Sequence, residues 1–417
     1  MSRAGSQAHP YIGLFGDRGV RTLWAGQALS DAGSELYRIG AIWLAVGVAG
    51  ADAAWLPIAQ AGAMLAFALG AGAVVDGLSA RRVMVWADLI RAAVSALVVV
   101  AAFTVGLSMP LLIGAGVLLA GLQAVFDPAL QSVIPRLAPE HHRLRALNGL
   151  FDVTGRLAII AGSVLGAAIA SVAPTIHLLT ANAASFLISA GSIAAAGHRF
   201  DGAAISAPAA APPASVLHRL ASGWRAARAT PGARTILATA GVSYATRSLG
   251  FALGLPLLLA RGDVAGGLPT LALIMATQAV GDGLTNLVTV TWRVKDAWRF
   301  LFVGYVLRGL GLAGIGAAAL LAPPATAPFV MAGSGFVLGV GGSMAFLQMM
   351  PFFQTRLEAA DAAAVFRLRY AILAGATLLG ALFGPIAFRL WQPSWVIVAC
   401  GLLLTAAGLW GARRAPV

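Results

Sequence analysis

The sequence predicts an all-α integral membrane protein in which twelve transmembrane helices form two pseudo-symmetric six-helix bundles. Three observations predict it. The 417-residue chain is 59% hydrophobic and 10% charged, with a mean hydropathy of +0.86, whereas a soluble domain carries about 25% charged residues. Cut at its charged and Pro/Gly-rich breaks, the chain leaves twelve apolar runs, each near the roughly 20 residues that cross a bilayer as a helix. Six of these runs precede a charged, Ala/Pro-rich segment and six follow it.

The runs fall at about 22–48, 54–76, 83–106, 110–133, 147–171 and 174–197 in the first half. The first begins after Arg18 and Arg21 and stops at Gly50-Ala51-Asp52, and the second ends at Asp76-Gly77. Arg81-Arg82 and Gly106 bound the third, Pro110 and Pro135-Arg136 the fourth, Arg145 and Pro174 the fifth, and His198-Arg199 closes the sixth. In the second half they fall at about 235–259, 267–291, 300–321, 326–350, 368–389 and 393–411. Their punctuation is Arg234, Arg261-Gly262-Asp263, Arg293 with Lys295, Pro323-Pro324, Arg356, Arg389 and Arg413-Arg414. The expected organisation is an N-terminal bundle over 1–198, a cytoplasmic linker over 199–234 and a C-terminal bundle over 235–417. The linker holds Ala207-Pro208-Ala209-Ala210-Ala211-Pro212-Pro213, then a basic stretch from His218 to Arg228 suited to the membrane surface.

The net charge of +13 is explained by topology. With a cytoplasmic N-terminus, twenty-one of the 28 basic residues fall in cytoplasmic segments and two, Arg261 and Arg389, outside. The positive-inside rule therefore places both termini in the cytoplasm, and no nucleic-acid partner is expected. No signal peptide is expected, because Arg3, Asp17, Arg18 and Arg21 precede a long apolar stretch with no cleavage site. The single cysteine, Cys400, excludes an intramolecular disulfide and a thiol metal site. The six histidines include no pair at helical ligand spacing, and no phosphate-binding Gly-x-x-x-x-Gly-Lys loop occurs. No cofactor, no metal, no ATP-driven step and no enzymatic activity are expected.

Five arginines (Arg38, Arg91, Arg156, Arg247, Arg308) and six acidic residues (Asp31, Glu35, Asp88, Asp127, Asp152, Asp282) lie inside the predicted helices. A charge near the bilayer centre costs about 2.5–3.5 kcal/mol on insertion scales, so these residues face partners or an aqueous cavity. Asp31 and Glu35 share a face at i, i+4, and Asp31 lies roughly 15 Å beyond Arg21 along the helix. Two carboxylates at low dielectric resist being charged together, which suits proton coupling or substrate handling. The alternative is a static pair in which Arg38, three residues past Glu35, neutralises it. Arg247 and Arg308 either line a substrate cavity or pair with Asp282 or a backbone carbonyl. Asp88/Arg91 and Asp152/Arg156 are spaced as pairs near cytoplasmic helix ends, suited to gating or scaffolding, with substrate contact as the alternative. Asp127 precedes Pro128 and caps or gates there. For the neutral polar residues of the runs, among them Gln60, Gln123, Asn182 and Asn286, an interhelical hydrogen bond is the ordinary role.

Between the second and third runs, Gly72-Ala73-Val74-Val75-Asp76-Gly77-Leu78-Ser79-Ala80-Arg81-Arg82 resembles the major facilitator superfamily loop motif Gly-x-x-x-Asp-Arg-x-Gly-Arg-Arg. It matches at Gly72, Asp76 and Arg81, and Gly77, Ser79 and Ala80 depart from the pattern. The stretches Phe126-Asp127-Pro128-Ala129-Leu130-Gln131-Ser132-Val133-Ile134-Pro135, Leu144-Arg145-Ala146-Leu147-Asn148 and Gly162-Ser163-Val164-Leu165-Gly166 resemble the enterobactin-exporter and macrolide-efflux branch of that superfamily, as does Leu23-Trp24-Ala25-Gly26-Gln27-Ala28-Leu29-Ser30-Asp31-Ala32-Gly33. The fifth-helix antiporter motif Gly-Pro-x-x-Gly-Gly reads Gly162-Ser163-Val164-Leu165-Gly166-Ala167 here, with close packing retained at Gly162 and Gly166.

The resemblance implies a rocker-switch transporter whose two bundles alternate access to a midplane site. It implies a cytoplasmic latch at Gly72, Asp76, Arg81 and Arg82, with Arg136, Arg367 or Arg369 as partners of Asp76. It also implies a cavity role for Arg247 on helix seven, with Arg308 on a helix that is normally peripheral. The expected activity is proton-coupled export of a siderophore from the cytoplasm across the inner membrane, by a monomer whose partners are that substrate, protons and the lipid bilayer. Multidrug or macrolide efflux is the alternative, and a lipid transporter or a transport-inactive receptor are lesser ones.

Overall fold

The computed structural model describes residues 14–75, 78–137, 141–196, 216–262, 267–291, 294–357 and 359–415. Long apolar sequences with little internal proline become helices, since in lipid every backbone group must be bonded internally. Among the described residues eleven spans are long and apolar enough to cross a membrane. The first of them, Arg18–Met64, contains the 3-10 turn Gly50–Ala54 and so holds two helices. They are α1 (Arg18–Ala49) and α2 (Trp55–Val75), followed by α3 (Ala80–Thr104), α4 (Met109–Leu137), α5 (His141–Val172) and α6 (His177–Ala196). After a linker helix, Val216–Ala229, come α7 (Ala233–Ala260), α8 (Gly267–Thr291), α9 (Ala297–Leu321), α10 (Ala327–Arg356), α11 (Ala359–Leu390) and α12 (Pro393–Ala412). Apolar side chains such as Phe103, Val172, Leu321 and Leu379 are exposed, as a lipid solvent allows and water does not.

Two units form. The first comprises Met1–Ala41 with Ala59–Ala210. Its core joins Leu23 of α1, Met84 of α3, Phe126 and Val133 of α4, Leu147 of α5 and Ile193 of α6. Hydrogen bonds from Gln27 Nε2 to Ser189 Oγ (2.9 Å) and from Trp24 Nε1 to Thr154 Oγ1 (2.7 Å) tie α1 to α6 and α5.

The second unit comprises Ile42–Ile58 with Ala211–Val417, and its core gathers Phe302 and Tyr305 of α9, Phe353 of α10, Val365 and Leu373 of α11 and Leu404 of α12. The division differs from the expected one in two places. Ile42–Ile58, the end of α1 and its turn, belongs with the second unit because Ala45, Val46, Ala53, Ala54 and Leu56 are buried and the turn packs on α11. The basic stretch after the linker's prolines is a helix that buries Ala226 and Ala227 in the second unit's core and packs on α11, so that part docks on protein. The linker's Ala/Pro run lies outside the described residues.

Within the second unit Arg389 Nη2 donates to Asp52 Oδ1 and Oδ2 at 2.9 and 3.0 Å, with the side chains 66% and 43% exposed. Exposed pairs of this kind contribute about 0–1 kcal/mol. Arg389→Gln is therefore expected to lower the thermal unfolding midpoint of the detergent-solubilised protein by no more than a few degrees.

α7 departs from regular helix. Arg247–Gly254 is wound as a π-helix between two α-helical pieces, a form that recurs at functional sites. It carries Arg247, whose guanidinium carbon lies 5.7 Å from the centre of the Phe251 ring.

Candidate functional site

In the first unit the helical period of α1 brings Asp31, Ser34, Glu35 and Arg38 to one cavity of about 610 Å³, with Gln123 of α4 and Phe151 of α5 on its wall. Glu35 is buried, and it is committed. Arg38 Nε donates to its Oε2 at 2.8 Å, Arg38 Nη2 to its Oε1, and Ser163 Oγ of α5 to Oε1 at 3.1 Å. Charge-assisted bonds of this kind are roughly twice as strong as neutral ones. A Cβ on Gly162 would lie 2.7 Å from Glu35 Cβ and 2.8 Å from the Ala32 carbonyl oxygen, whereas one on Gly166 would make ordinary contact with Leu36 at 3.4 Å. Gly162 thus lets α5 approach α1 closely enough for Ser163 to reach Glu35. Gly162→Leu is expected to destabilise the protein by about 1–3 kcal/mol through overpacking, read as a lower unfolding temperature and yield.

Asp31, one turn before Glu35, lines the same cavity on its exposed side and makes no hydrogen bond or ion pair with another described residue. Asp127 and Arg91 act on it electrostatically. Those two belong to a buried chain across α3 and α4. Arg91 Nη2 donates to Asp88 Oδ1, Arg91 Nη1 to Gln123 Oε1, and Gln123 Nε2 to Asp127 Oδ1 at 2.5 Å. Asp88 is fully buried and Arg91 is 2% exposed, with the guanidinium carbon 4.5 and 4.4 Å from the centres of the Phe126 and Phe186 rings. Cation–π contacts compensate part of the lost hydration. The Asp88 and Arg91 side chains are therefore interior to the bundle. Three carboxylates, Asp31, Asp88 and Asp127, share one arginine here.

The second unit has its own polar cluster. Ser343 Oγ of α10 donates to Asp282 Oδ1 of α8 at 2.8 Å, and Asn286 Nδ2 donates to Ser343 Oγ at 3.0 Å and to the Asp282 carbonyl oxygen at 2.8 Å. Arg308 of α9 and Arg247 of α7 act electrostatically on Asp282. A Cβ on Gly342 would lie 3.3 Å from Asp282 Oδ1 and 3.4 Å from Arg308 Nη1, so acid and arginine flank one point of α10. α10 comes this close because Gly339 and Gly341 have no side chain. A Cβ there would lie 2.0 Å from the Gln278 carbonyl oxygen and 2.4 Å from the Arg308 nitrogen.

A family model described as transmembrane secretion effector matches residues 15–406. The chain belongs to that family. Among solved structures, the chain is similar to a bacterial homologue of the iron transporter ferroportin in an inward-facing state, with a TM-score of 0.75 at 13% identity over 95% of this chain and 99% of that one. It is similar to a mutant of the peptide transporter POT, with a TM-score of 0.73 at 13% identity over 99% and 96%, and to a bacterial metal transporter, with a TM-score of 0.65 at 12% identity over 95% and 99%. No curated protein matches the chain. At such identities the likeness is one of fold, and the fold is that of the major facilitator superfamily. The protein is thus a multi-pass membrane transporter of the major facilitator type.

In this secretion-effector family member, the loop motif is described only in part. Gly72 is in α2, Asp76 lies outside the described residues, Arg82 is exposed, and Arg81 Nη2 donates to the Ala194 carbonyl oxygen at the end of α6 at 2.9 Å. Of the expected partners of Asp76, the side chains of Arg136 and Arg367 are outside the description, and Arg369 is buried at 2% exposure with its guanidinium carbon 5.8 Å from the centre of the Phe346 ring. Asp152 and Arg156 lie on α5, with side chains outside the described residues. Among the described residues no three His, Cys, Asp or Glu side chains are grouped to hold a metal ion. Two hydrogen bonds in the polar clusters have no signal in residue type alone, Ser163 on Glu35 and Ser343 on Asp282. Ser163 has one in the motif, since it stands where the family's pattern has proline.

Proposed function

We propose that this transporter is a proton-coupled exporter that moves a small amphipathic molecule from the cytoplasm outward across the cytoplasmic membrane by alternating access. The observation that carries the reading is the contrast between Asp31 and Glu35 on one cavity wall. Glu35 is neutralised by Arg38 and held by Ser163, while Asp31 lines the cavity beside Asp127 with one arginine shared among three carboxylates. Taking up a proton at Asp31 removes a like charge from this cluster, and releasing it restores one, so the charge of the cavity follows the proton. Both termini are assigned to the cytoplasm on the arginine distribution. The test uses purified protein in proteoliposomes carrying a pH-sensitive dye. An imposed pH gradient should drive accumulation of substrate, and substrate added without a gradient should move protons. Transport indifferent to the gradient overturns the coupling.

For the substrate, the resemblance of Phe126–Pro135 and of the first helix to the enterobactin-exporter branch supports a siderophore. One observation favours the second reading, drug or macrolide efflux. The first unit's described intramembrane charges are four carboxylates, Asp31, Glu35, Asp88 and Asp127, against Arg38 and Arg91, an excess that disfavours an anionic chelator. Deleting the gene in its host under iron starvation separates the two. Siderophore retained inside the cells supports the first, and unchanged secretion with heightened sensitivity to cationic or macrolide drugs supports the second.

A further inference from the structure

A cavity of about 500 Å³ opens in the second unit where α9 begins, lined by Lys295, Asp296, Arg299, Phe300 and Val303 on one side and by Met344 of α10 on the other. Packing explains where it lies. α9 and α10 touch at Gly304, where a Cβ would lie 2.6 Å from the Ala345 nitrogen and 2.8 Å from Met344 Cβ. The cavity therefore lies between that contact and the start of α9, which is the boundary of the membrane span Ala297–Leu321.

The acid of this cavity is already committed. Asp296 Oδ1 accepts from the backbone N–H of Arg299 at 2.9 Å, capping α9, and its Oδ2 lies 3.5 Å from Arg299 Nε. The two cations are open. Lys295 is exposed and makes no hydrogen bond or ion pair with another described residue. Arg299 is 82% exposed, and its terminal nitrogens bond to no described residue. Val303 follows Arg299 at i, i+4 and Phe300 at i, i+3, so the charge and the apolar wall share one face, the apolar part deeper in the span. Val303 is 45% exposed, and Phe300 and Met344 are half-buried.

We propose that this cavity binds one anionic phospholipid, with its phosphate on Lys295 and Arg299 and the upper part of an acyl chain along Phe300, Val303 and Met344. The chemistry selects the occupant. Ammonium and guanidinium groups are donors without acceptors, so they take the acceptor oxygens of a phosphate. A zwitterionic choline headgroup would bring a cation against them, and a free phosphate would leave the apolar wall uncovered. The arginine distribution that assigns the termini to the cytoplasm assigns this end of α9 there as well, beside the leaflet that carries anionic lipid. The site is independent of what the transporter carries and of how transport is driven.

The test titrates delipidated full-length protein in neutral detergent with dioleoyl phosphatidylglycerol or dioleoyl phosphatidylcholine, reading the first bound lipid by native mass spectrometry. The anionic lipid should bind at least about 10-fold more tightly. Lys295→Gln, which breaks no described contact, should weaken it about 5-fold, the usual worth of one basic residue beside anionic lipid. Lys295→Gln with Arg299→Gln should weaken it about 25-fold on the same scale. The control is Arg225→Gln with Arg228→Gln on the exposed face of the linker helix. It removes the same charge outside the cavity, on the same side of the membrane because α7 and α8 cross it once each, and should change binding less than about 2-fold. Millimolar inorganic phosphate should leave the lipid bound. Equal binding of the two lipids, binding undiminished in the cavity variants, an equal loss in the control, or displacement by phosphate overturns the proposal. An equal loss would mean that general charge attracts the lipid, and displacement that the cavity is a site for the free anion.

Discussion

Asp31→Asn is expected to reduce gradient-driven efflux in everted vesicles by about 100-fold or more, the lower range for loss of a proton-transfer group, with the protein still folded in the membrane. The amide keeps the size of the carboxylate and removes the proton site. Because Asp31 makes no bond to another described residue, its replacement breaks no described contact, and the loss appears in transport rather than in stability. Glu35→Gln is the contrasting variant. It takes the charge out of a pair held by Arg38 and Ser163, so it should lower the unfolding temperature and yield before it touches coupling. A wild-type rate and pH dependence in Asp31→Asn would remove Asp31 from the mechanism. Full coupling loss in Glu35→Gln with undiminished stability would reverse the two assignments.

The second large effect is one of stability. Arg91→Ala is expected to cost about 3–5 kcal/mol, the usual penalty for leaving a buried charge without its partner. Asp88 is fully buried, Gln123 would lose its donor, and the Phe126 and Phe186 rings would face a void where the guanidinium sits. For a membrane protein of ordinary marginal stability that is enough to collapse expression, measured as monodisperse protein recovered per cell mass. The double variant Asp88→Asn with Arg91→Gln, which removes both charges and keeps polar partners, should recover a large part of the loss. Equal yields from the single and double variants would show that the pair's charges are not what holds α3 against α4 and α6.

Which parts of this were legible in the sequence follows the range of the interactions concerned. The membrane class, the spans and the two Arg-punctuated halves follow from composition and from runs of about 20 apolar residues, which need no knowledge of packing. The Glu35–Arg38 and Asp88–Arg91 pairs were legible too, because helix geometry places i and i+3 together whatever surrounds them. That the first is a committed pair while Asp31, on the same face, is not was decided by α5, since Ser163 reaches Glu35 across 128 positions of chain. The same holds for Gln123 joining Arg91 to Asp127, for Ser343 on Asp282, and for the buried alanines that carry Ile42–Ile58 into the second unit. Helical period and hydropathy are properties of neighbouring residues, so one chain read alone determined them. Which buried charge meets which partner depends on close approaches at residues such as Gly162, Gly339 and Gly341, and those exist only once distant helices have packed.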